Sequence, residues 1–263
     1  MSYLFREGTT PLLVSIPHAG LEIPDAIAAR MTDKARELGD TDWHVPKLYD
    51  FLDALGASVL AATQSRYVVD LNRPPDGASL YPGQATTGLA PTTTFDGEPL
   101  YREGAEPDSR EIDQRVEAYW HPYHGKLMAE LEHLKRQYGY ALLWDAHSIR
   151  SRVPRLFDGG LPDMNFGTNE GSSCDPKLTK RLLAVAEDVR DFTHVLNGRF
   201  KGGFITRNYG NPDQDVHAVQ LELSQATYMD ETPPYAFRPE KADQIRPTLK
   251  LLLQTMLEWK PSG

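Results

Sequence analysis

The amino-acid sequence predicts an α/β protein, with a mostly parallel or mixed central sheet and helices on both of its faces. Short apolar runs that are typical of buried strands alternate along the chain with segments whose apolar residues are spaced three and four apart, as in helices. The 263 residues fit one large domain, and no internal repeat, low-complexity tract or linker divides them. We therefore expect residues 1–263 to form a single domain.

The first part of the chain predicts three strands separated by helical segments. We expect strands at 12–16, at 57–63 and from Arg66 into the turn at 74–77, and helices at 25–38 and 45–55. Pro17 ends the first strand, and Gly56 ends the second helix. Residues 77–107 are rich in Gly, Pro and Thr and show no helical or strand period, which is typical of a lid, a binding loop or disorder.

The second part of the chain alternates in the same way. We expect a long amphipathic helix at 109–138, strands at 140–147 and 217–224, helices at 176–191 and 241–259, a loop at 160–175, and short strands within 194–210 around Gly202 and Gly203. Pro122 interrupts the long helix, whereas Pro176 lies near the first turn of its helix, where proline is tolerated. Strands that alternate with helices favour a mostly parallel sheet.

Composition and charge restrict the class of function. The net charge is −9, which argues against nucleic acid or an anionic membrane as the main partner. The single cysteine, Cys174, excludes an intramolecular disulfide framework and a cysteine-rich zinc site. The N-terminus lacks the unbroken apolar stretch of a signal peptide, and no stretch approaches the ~20 apolar residues of a membrane span. We expect a cytoplasmic enzyme or binding protein that acts on a small molecule.

Two histidines follow apolar strands and indicate a metal site. His18 comes just after the first strand, and His147 ends the strand at 140–147. Parallel strands bring such ends together, and a catalytic zinc commonly has three nitrogen or oxygen ligands from the protein. The third ligand is left open between Asp42, Asp40 and Glu22, because Gly-Asp-Thr-Asp is also a helix-capping pattern. A lone histidine is more often an ordinary hydrogen-bonded residue, so the pair carries the hypothesis.

A second histidine pair and one glutamate also require interpretation. His121 and His124 lie one turn apart on the predicted long helix, and we interpret them as part of its face and not as metal ligands. Glu222 lies within an apolar strand, where an unpaired acid is costly to bury, and it is the candidate general base. Gln220 and Ser224 share its face, so a solvated face of an edge strand is the structural alternative.

Three arginines are candidates for binding a substrate that carries carboxylate groups, since a guanidinium binds a carboxylate through two hydrogen bonds. Arg73 follows a predicted strand end near His18 and His147, and Arg207 follows a glycine-containing stretch that permits close approach to a ligand. Arg66 begins its predicted strand, so we expect it at the opposite edge. Surface ion pairs are the alternative for all three. The motifs of serine hydrolases, P-loops and dinucleotide-binding folds do not occur.

Seven segments of the chain, in order, resemble the N-formylglutamate amidohydrolase (N-formylglutamate deformylase) family. They are VSIPHAGLEIP, GDTDWHVPKLYDF, SRYVVDLNRPP, LLWDAHSIRSRVPRLFDG, LPDMNFGTN, KGGFITRNYG and HAVQLELSQATYMDE. Together they cover nearly the whole chain. The family is itself distantly similar to zinc carboxypeptidases and to aspartoacylase, so the resemblance implies a zinc-carboxypeptidase-like (phosphorylase/hydrolase-like) fold.

The resemblance implies an activity: zinc-dependent hydrolysis of N-formyl-L-glutamate to L-glutamate and formate, the last step of histidine degradation. Two other functions stay open. One is hydrolysis of another N-acyl amino acid, such as an N-acylaspartate. The other is metal-dependent binding of acidic amino acids without turnover.

The resemblance also implies roles for individual residues. His18 and His147 correspond to the zinc histidines and Glu222 to the base, while Asn72 and Arg73 match the segment that holds the substrate, with Arg207 as a second candidate arginine. The His-x-x-Glu ligand pair of the wider group is missing, so we predict Asp42 as the third ligand and keep Asp40 in reserve. Zinc is the expected metal, and another divalent ion is an alternative. Asp145 is expected to orient a ligand.

Overall fold

The centre of the protein is a mixed sheet, described here from a computed structural model that covers residues 2–80, 83 and 86–261. Within these residues the sheet has seven strands in the order β1-β3-β2-β4-β7-β5-β6. The strands are β1 (Tyr3–Arg6), β2 (Leu12–Ile16), β3 (Ser58–Ala62), β4 (Ala141–Ile149), β5 (Met164–Gly167), β6 (His194–Leu196) and β7 (Val216–Ser224). None of the helices in this described part is long and apolar enough to span a lipid bilayer.

The pairing of the strands confirms the predicted mixed sheet. β3, β2, β4 and β7 are neighbours and run parallel. The outer strands depart from this pattern, because β1 is antiparallel to β3, β5 is antiparallel to β7, and β6 is parallel to β5. β7 therefore lies inside the sheet, between β4 and β5, and the edge-strand interpretation of Glu222 is wrong.

Helices cover both faces of the sheet, as predicted. They are α1 (Asp25–Ala28), α2 (Asp33–Arg36), α3 (Val45–Leu48), α4 (Ser109–Arg115), α5 (His121–Tyr138), α6 (Pro176–Asp188), α7 (Phe204–Tyr209) and α8 (Pro239–Glu258). Side chains of a strand alternate between faces. In β2, Leu12 and Val14 accordingly join the apolar cluster that contains Leu249 of α8, whereas Leu13 joins the cluster that contains Leu127 of α5.

The segment from Arg66 to Arg73 is not the predicted strand. It forms turns, although nearly all of its side chains are buried. The Asp70 carboxylate accepts a hydrogen bond from the Asn72 N–H, and the Arg73 N–H donates to the Asp70 carbonyl. A side chain that bonds the backbone two residues on favours a turn over a strand. The strand prediction for this segment rested on its apolar character alone, and it is wrong.

Four other predicted segments differ from the structure. The helix at 25–38 is divided into α1 and α2, because Thr32 caps the start of α2 by accepting from the Ala35 N–H. The helix at 45–55 ends at Leu48. The loop at 160–175 contains β5, and the region 194–210 contains β6 followed by helix α7 in place of short strands.

Pro122 does not break the long helix. A π-helical turn, Val116–Trp120, joins α4 to α5, and the His121 N–H bonds the Val116 carbonyl five residues back. The wider turn accommodates Pro122, which lies in the first turn of α5 and has no N–H to donate. Residues 77–80, 83 and 86–107 contain no helix or extended strand, as predicted, and residues 81, 82, 84 and 85 of this loop lie outside the described part.

Candidate functional site

One face of β4 changes from apolar to polar along the strand. Ala141 and Leu143 pack against α5, and the next residues on the same face are Asp145 and His147. The strand continues to Ile149, so His147 lies within β4 and not at its end as predicted. All of these side chains are buried, and buried polar groups require partners. The polar half of this face is therefore a candidate site.

The neighbouring strand β7 shows the same change. Val216 and Ala218 belong to the apolar cluster, and Gln220 and Glu222 follow on the same face. The register of the two parallel strands pairs His147 with Glu222. The two strands thus present a histidine and a carboxylic acid side by side.

His18, Asp42 and His147 form a compact buried group that could hold a metal ion, with candidate ligand atoms within 4.8 Å of one another. Asp42 Oδ2 lies 3.1 Å from His147 Nδ1 and 3.8 Å from His18 Nδ1. Backbone contacts fix this carboxylate, because the Asp42 N–H donates to the His18 carbonyl and Asp42 Oδ2 accepts from the Ser148 N–H. Three residues that the sequence analysis brought forward therefore meet at one point.

Asp70 determines which nitrogen of His18 is available to a ligand. His18 Nε2 lies 2.7 Å from Asp70 Oδ1, and an ionised carboxylate only accepts, so Nε2 carries the proton and Nδ1 presents its lone pair toward Asp42. Asp70 also binds Arg66 at 2.6 Å. Burial and Arg66 lower the pKa of His18 against the opposing effect of Asp70, which favours the neutral imidazole that a metal requires.

His147 lies between two carboxylates. Its Nδ1 lies 3.1 Å from Asp42, and its Nε2 lies 3.1 Å from Asp145 Oδ1. Burial opposes a charge on His147, but Asp145 and Asp42 outweigh burial and raise its pKa well above the usual value. Without a metal, His147 is therefore an imidazolium paired with both acids. Asp145 contacts it through Nε2, and the expected role of Asp145 in orienting a metal ligand stays a prediction.

Glu222 is buried beside this group. Burial raises the pKa of Glu222 to about 8. Gln220 Nε2 donates to Glu222 Oε2 at 3.3 Å, and the orientation of this amide is fixed because Gln220 Oε1 accepts from the Gly203 N–H at 2.7 Å. A carboxylic acid with a raised pKa next to a candidate metal site suits a proton-transfer role.

Asn72 connects the histidine group to the start of α7. Its Oδ1 accepts from the Ile205 N–H, which directs Nδ2 toward His147 Nε2 at 3.0 Å. A Cβ added at Gly203 would lie 2.2 Å from Asn72 Nδ2, so only glycine fits at that position. Asn72 therefore positions α7 in addition to lining the site.

These residues line a cavity whose empty space, including the part open to solvent, is about 580 Å³. The described residues that line it are His18, Arg66, Asn72, Arg73, Thr86, Thr87, Phe95, His147, Ile149, Leu156, Arg199, Phe200, Gly203, Gln220 and Glu222. Arg66 is among them, so its predicted location at the opposite edge is wrong. Arg207 is not, and its Nε donates to the Gly202 carbonyl.

The remaining candidates have other structural roles. Asp40 accepts from the Phe95 N–H and stays apart from the two histidines, and Glu22 is exposed and accepts from Gln64. His124 is buried with one nitrogen facing the Tyr209 hydroxyl and the other the Leu71 carbonyl, which supports the interpretation of the second histidine pair as part of the helix.

Sequence reasoning missed two contributors to the site, Asp70 and Arg199. Asp70 was visible as an acid two residues before Asn72, but no role was assigned to it, because the strand prediction hid the turn that directs it at His18. Arg199 lies between β6 and α7 in a stretch without a clear period. No local signal distinguishes it from a surface arginine.

The fold and the site together define a class: an α/β protein with a candidate mononuclear metal centre of two histidines and one carboxylate, a buried glutamic acid beside it, and a cavity lined by arginines. Comparison with known proteins points to one family. The family model described as N-formylglutamate amidohydrolase matches residues 10–229.

Two similar relatives are named N-formylglutamate deformylase. The protein from Pseudomonas putida is 56% identical over 255 residues, which cover 97% of this chain and 95% of the relative. The protein from Pseudomonas aeruginosa is 57% identical over 255 residues, which cover 97% of this chain and 96% of the relative. The chain therefore belongs to the N-formylglutamate amidohydrolase family and is an amide hydrolase.

Solved structures support the fold. The N-formylglutamate amidohydrolase from Ralstonia eutropha JMP134 matches with a TM-score of 0.83 and 22% identity, over 98% of this chain and 97% of that one. A gene product of Agrobacterium tumefaciens matches with a TM-score of 0.72 and 16% identity, over 97% of this chain and 94% of that one.

Proposed function

We propose that this protein hydrolyses N-formyl-L-glutamate to L-glutamate and formate with the aid of one divalent metal ion, zinc in the first place. The observation that carries the proposal is the buried group of His18, Asp42 and His147 beside Glu222. Relatives that share more than half of their residues with this chain and bear the name N-formylglutamate deformylase support the choice of substrate.

The residues present fit a zinc ion. Two imidazoles and one carboxylate are a common ligand set of catalytic zinc, which leaves a coordination position open to water or substrate. Bonds of zinc length place ligand atoms about 3.4 Å apart in a tetrahedral site, and the distances of 3.1 and 3.8 Å from Asp42 to the two histidines bracket this value. Asp70 and Asp145 bind the far nitrogens of the histidines, as partners of metal-binding histidines do.

A bound zinc would supply Lewis-acid chemistry, polarising the formyl oxygen and making water more acidic. The chain provides the proton transfers. Glu222 accepts a proton from the attacking water and passes it to the amide nitrogen as the C–N bond breaks, which releases glutamate and formate. The charge of a bound cation would lower the pKa of the nearby Glu222 and favour the carboxylate form that a base requires.

Arginines provide the charge that holds the substrate. Arg73 lines the cavity and donates through its three nitrogens to Asn72 and Thr87, which leaves two further N–H groups for a ligand. The buried Nε of Arg66 has no hydrogen-bond partner among the described residues, and Arg66 also lines the cavity. A buried donor without a partner is costly, so a ligand is expected to bind it.

A formate-release assay tests the proposal. The purified protein loaded with zinc is expected to release formate from N-formyl-L-glutamate and to show little turnover of an N-acylaspartate. Equal turnover of the N-acylaspartate favours the broader N-acyl amino acid hydrolase, and tight substrate binding without formate release favours a non-catalytic binder. Growth on histidine of a strain that lacks the protein tests the proposed place in histidine degradation, and cell fractionation tests the proposed cytoplasmic location.

A further inference from the structure

We propose that Arg199 binds the side-chain carboxylate of the substrate and thereby selects N-formyl amino acids with an acidic side chain. This inference rests on the proposed function, since it concerns the choice among substrates of the same site. Arg199 was not predicted from the sequence, but it lines the same cavity as His18, His147 and Glu222.

The first argument concerns charge. A substrate with two carboxylates presents two negative groups, and three arginines among the described residues line the cavity: Arg66, Arg73 and Arg199. Arg66 offers only its Nε to a ligand, because its Nη2 binds Asp70 at 2.6 Å and its Nη1 lies 3.7 Å from Asp42. A single N–H cannot bind a carboxylate through two hydrogen bonds. Arg73 and Arg199 are therefore the candidates for the two carboxylates of the substrate.

The second argument concerns position. Arg73 directly follows Asn72, whose Nδ2 lies 3.0 Å from His147, so Arg73 enters the cavity close to the histidines. Arg199 lies on the stretch that leaves β6 and returns to β7, where the Gly203 N–H reaches Gln220. In the strand order β2-β4-β7-β5-β6, Glu222 lies on β7, at the centre of this series. His147 lies on β4 and His18 follows β2, so both are on one side of Glu222. The stretch that carries Arg199 approaches from the other side, where β5 and β6 lie.

The third argument concerns the shape of the substrate. The α-carboxylate of an N-formyl amino acid is attached to the carbon next to the amide nitrogen, whereas the side-chain carboxylate of a glutamate is separated from that carbon by two methylene groups. When the formyl group lies between the histidines and Glu222, the near carboxylate faces Arg73 and the distant one faces Arg199. The two arginines are thus expected to have different partners.

The setting of Arg199 suits a carboxylate site. Its Nε donates to the Leu156 carbonyl at 2.7 Å, and its guanidinium lies 5.5 Å from the centre of the Phe200 ring. These contacts fix the plane of the guanidinium, which lowers the entropic cost of binding a carboxylate. Leu156 and Phe200 also line the cavity and offer apolar surface to the methylene groups of the substrate.

The test compares N-formylglutamate with N-formylglutamine, which has nearly the same shape and a neutral side chain. We expect Arg199→Gln to lower kcat/KM for N-formylglutamate by roughly 10- to 150-fold, the equivalent of one lost hydrogen bond to a charged group, and to change N-formylglutamine by less than about threefold. Arg73→Gln is expected to lower kcat/KM for both substrates by a similar factor, because both carry the α-carboxylate.

Arg152→Gln is the matched control, since Arg152 is exposed and is not among the described residues that line the cavity. It should leave both activities unchanged. Melting temperature and metal content establish that each variant is folded and loaded. Equal losses on both substrates in folded, loaded Arg199→Gln overturn the inference, as does a loss of preference in Arg73→Gln alone. Absence of formate release from either substrate by the wild-type protein overturns the proposed function instead.

Discussion

At the scale of single residues, two aspartates only two positions apart have different expected roles. Asp42 Oδ2 lies near both histidines, whereas Asp40 binds the Phe95 backbone. We expect Asp42→Asn to lose tightly bound zinc, because an amide is a poorer and neutral ligand, while Asp40→Asn keeps its zinc. Metal analysis after dialysis measures both. Full zinc content in folded Asp42→Asn would falsify the assignment of Asp42 as a ligand.

His18→Ala and His147→Ala are expected to remove zinc in the same way. Each variant deletes one of the nitrogen ligands of the proposed site. His121→Ala is the control, since His121 is exposed on α5, where its Nε2 lies 3.4 Å from Glu117 Oε1. A histidine variant that retains both its zinc and its activity would show that the residue is not a ligand.

Glu222→Gln separates catalysis from metal binding. The amide keeps the shape of the side chain but cannot accept a proton, so turnover should fall by roughly 10²-fold or more while zinc content is unchanged. Glu22→Gln is a matched control at an exposed position and should leave both quantities unchanged. Loss of zinc from Glu222→Gln would place Glu222 among the ligands and require another base.

Zinc affinity is expected to rise with pH. Asp145 and Asp42 hold the pKa of His147 well above its usual value, so in the metal-free protein this histidine is protonated at neutral pH and must lose a proton to bind a metal. Below that pKa, the dissociation constant should fall by about tenfold for each unit of pH increase. Titration against a competing chelator at several pH values measures this, and a constant affinity between pH 6 and 8 would contradict it.

Much of the candidate site could be predicted at this scale, because its ligands follow or lie within strongly apolar strands. His18, His147 and Glu222 stand out as polar groups in runs that a parallel sheet buries. Asp42 was predicted over Asp40 without a physical reason in the sequence to exclude Asp40, since both lie in the same capping pattern. The distinction depends on the hydrogen bond between the Asp42 N–H and the His18 carbonyl, which only the folded chain shows.

At the scale of elements, α7 is held against the site by a contact that excludes any side chain at Gly203. An added Cβ would overlap Asn72, which also binds the backbone of Ile205. We expect Gly203→Ala to lower the free energy of unfolding by about 1–3 kcal/mol, as overpacking does. Activity should fall as well, since Asn72 and Gln220 must move. Chemical denaturation and the formate assay measure the two effects.

Gly125→Ala provides the opposite case. Gly125 is exposed in the second turn of α5, and an added Cβ meets no atom within 4 Å. Alanine at a helix interior position is expected to raise the free energy of unfolding by about 0.5–1 kcal/mol, because glycine loses more backbone freedom on folding. Activity should not change. A destabilising effect of Gly125→Ala would indicate that the π-helical turn constrains α5 more than its geometry suggests.

The elements that could be predicted are those with a clear period. β2, β4, β7, α6 and α8 were expected close to their observed bounds because they are long or strongly apolar. β5 and α7 could not be predicted, since they are short and their conformation depends on pairing with β7 and on contact with Asn72. The segment 66–73 was predicted to be a strand because its apolar character was interpreted as evidence for an extended backbone. The structure shows buried turns there.

At the scale of the whole molecule, the metal is expected to stabilise the fold. The site gathers four buried acids, Asp42, Asp70, Asp145 and Glu222, and a cation bound there compensates their mutual repulsion. Zinc at a hundred times its dissociation constant should add about 2.7 kcal/mol to the free energy of unfolding, and a chelator should lower the melting temperature. Asp42→Asn should not respond to the chelator. Equal melting temperatures with and without zinc in the wild type would contradict this prediction.

The strand order also determines when the site can form during folding. Ser15 and Asp145 lie on adjacent strands, yet they are 130 residues apart in sequence. Such pairings close large loops and are slow to form. Because the proposed ligands are divided between the stretch after β2, the stretch before α3, and β4, no short fragment contains them all. If residues 1–263 fold as one unit, as we propose, a refolding chain should regain its secondary structure early and its ability to capture zinc only with the final, rate-limiting step.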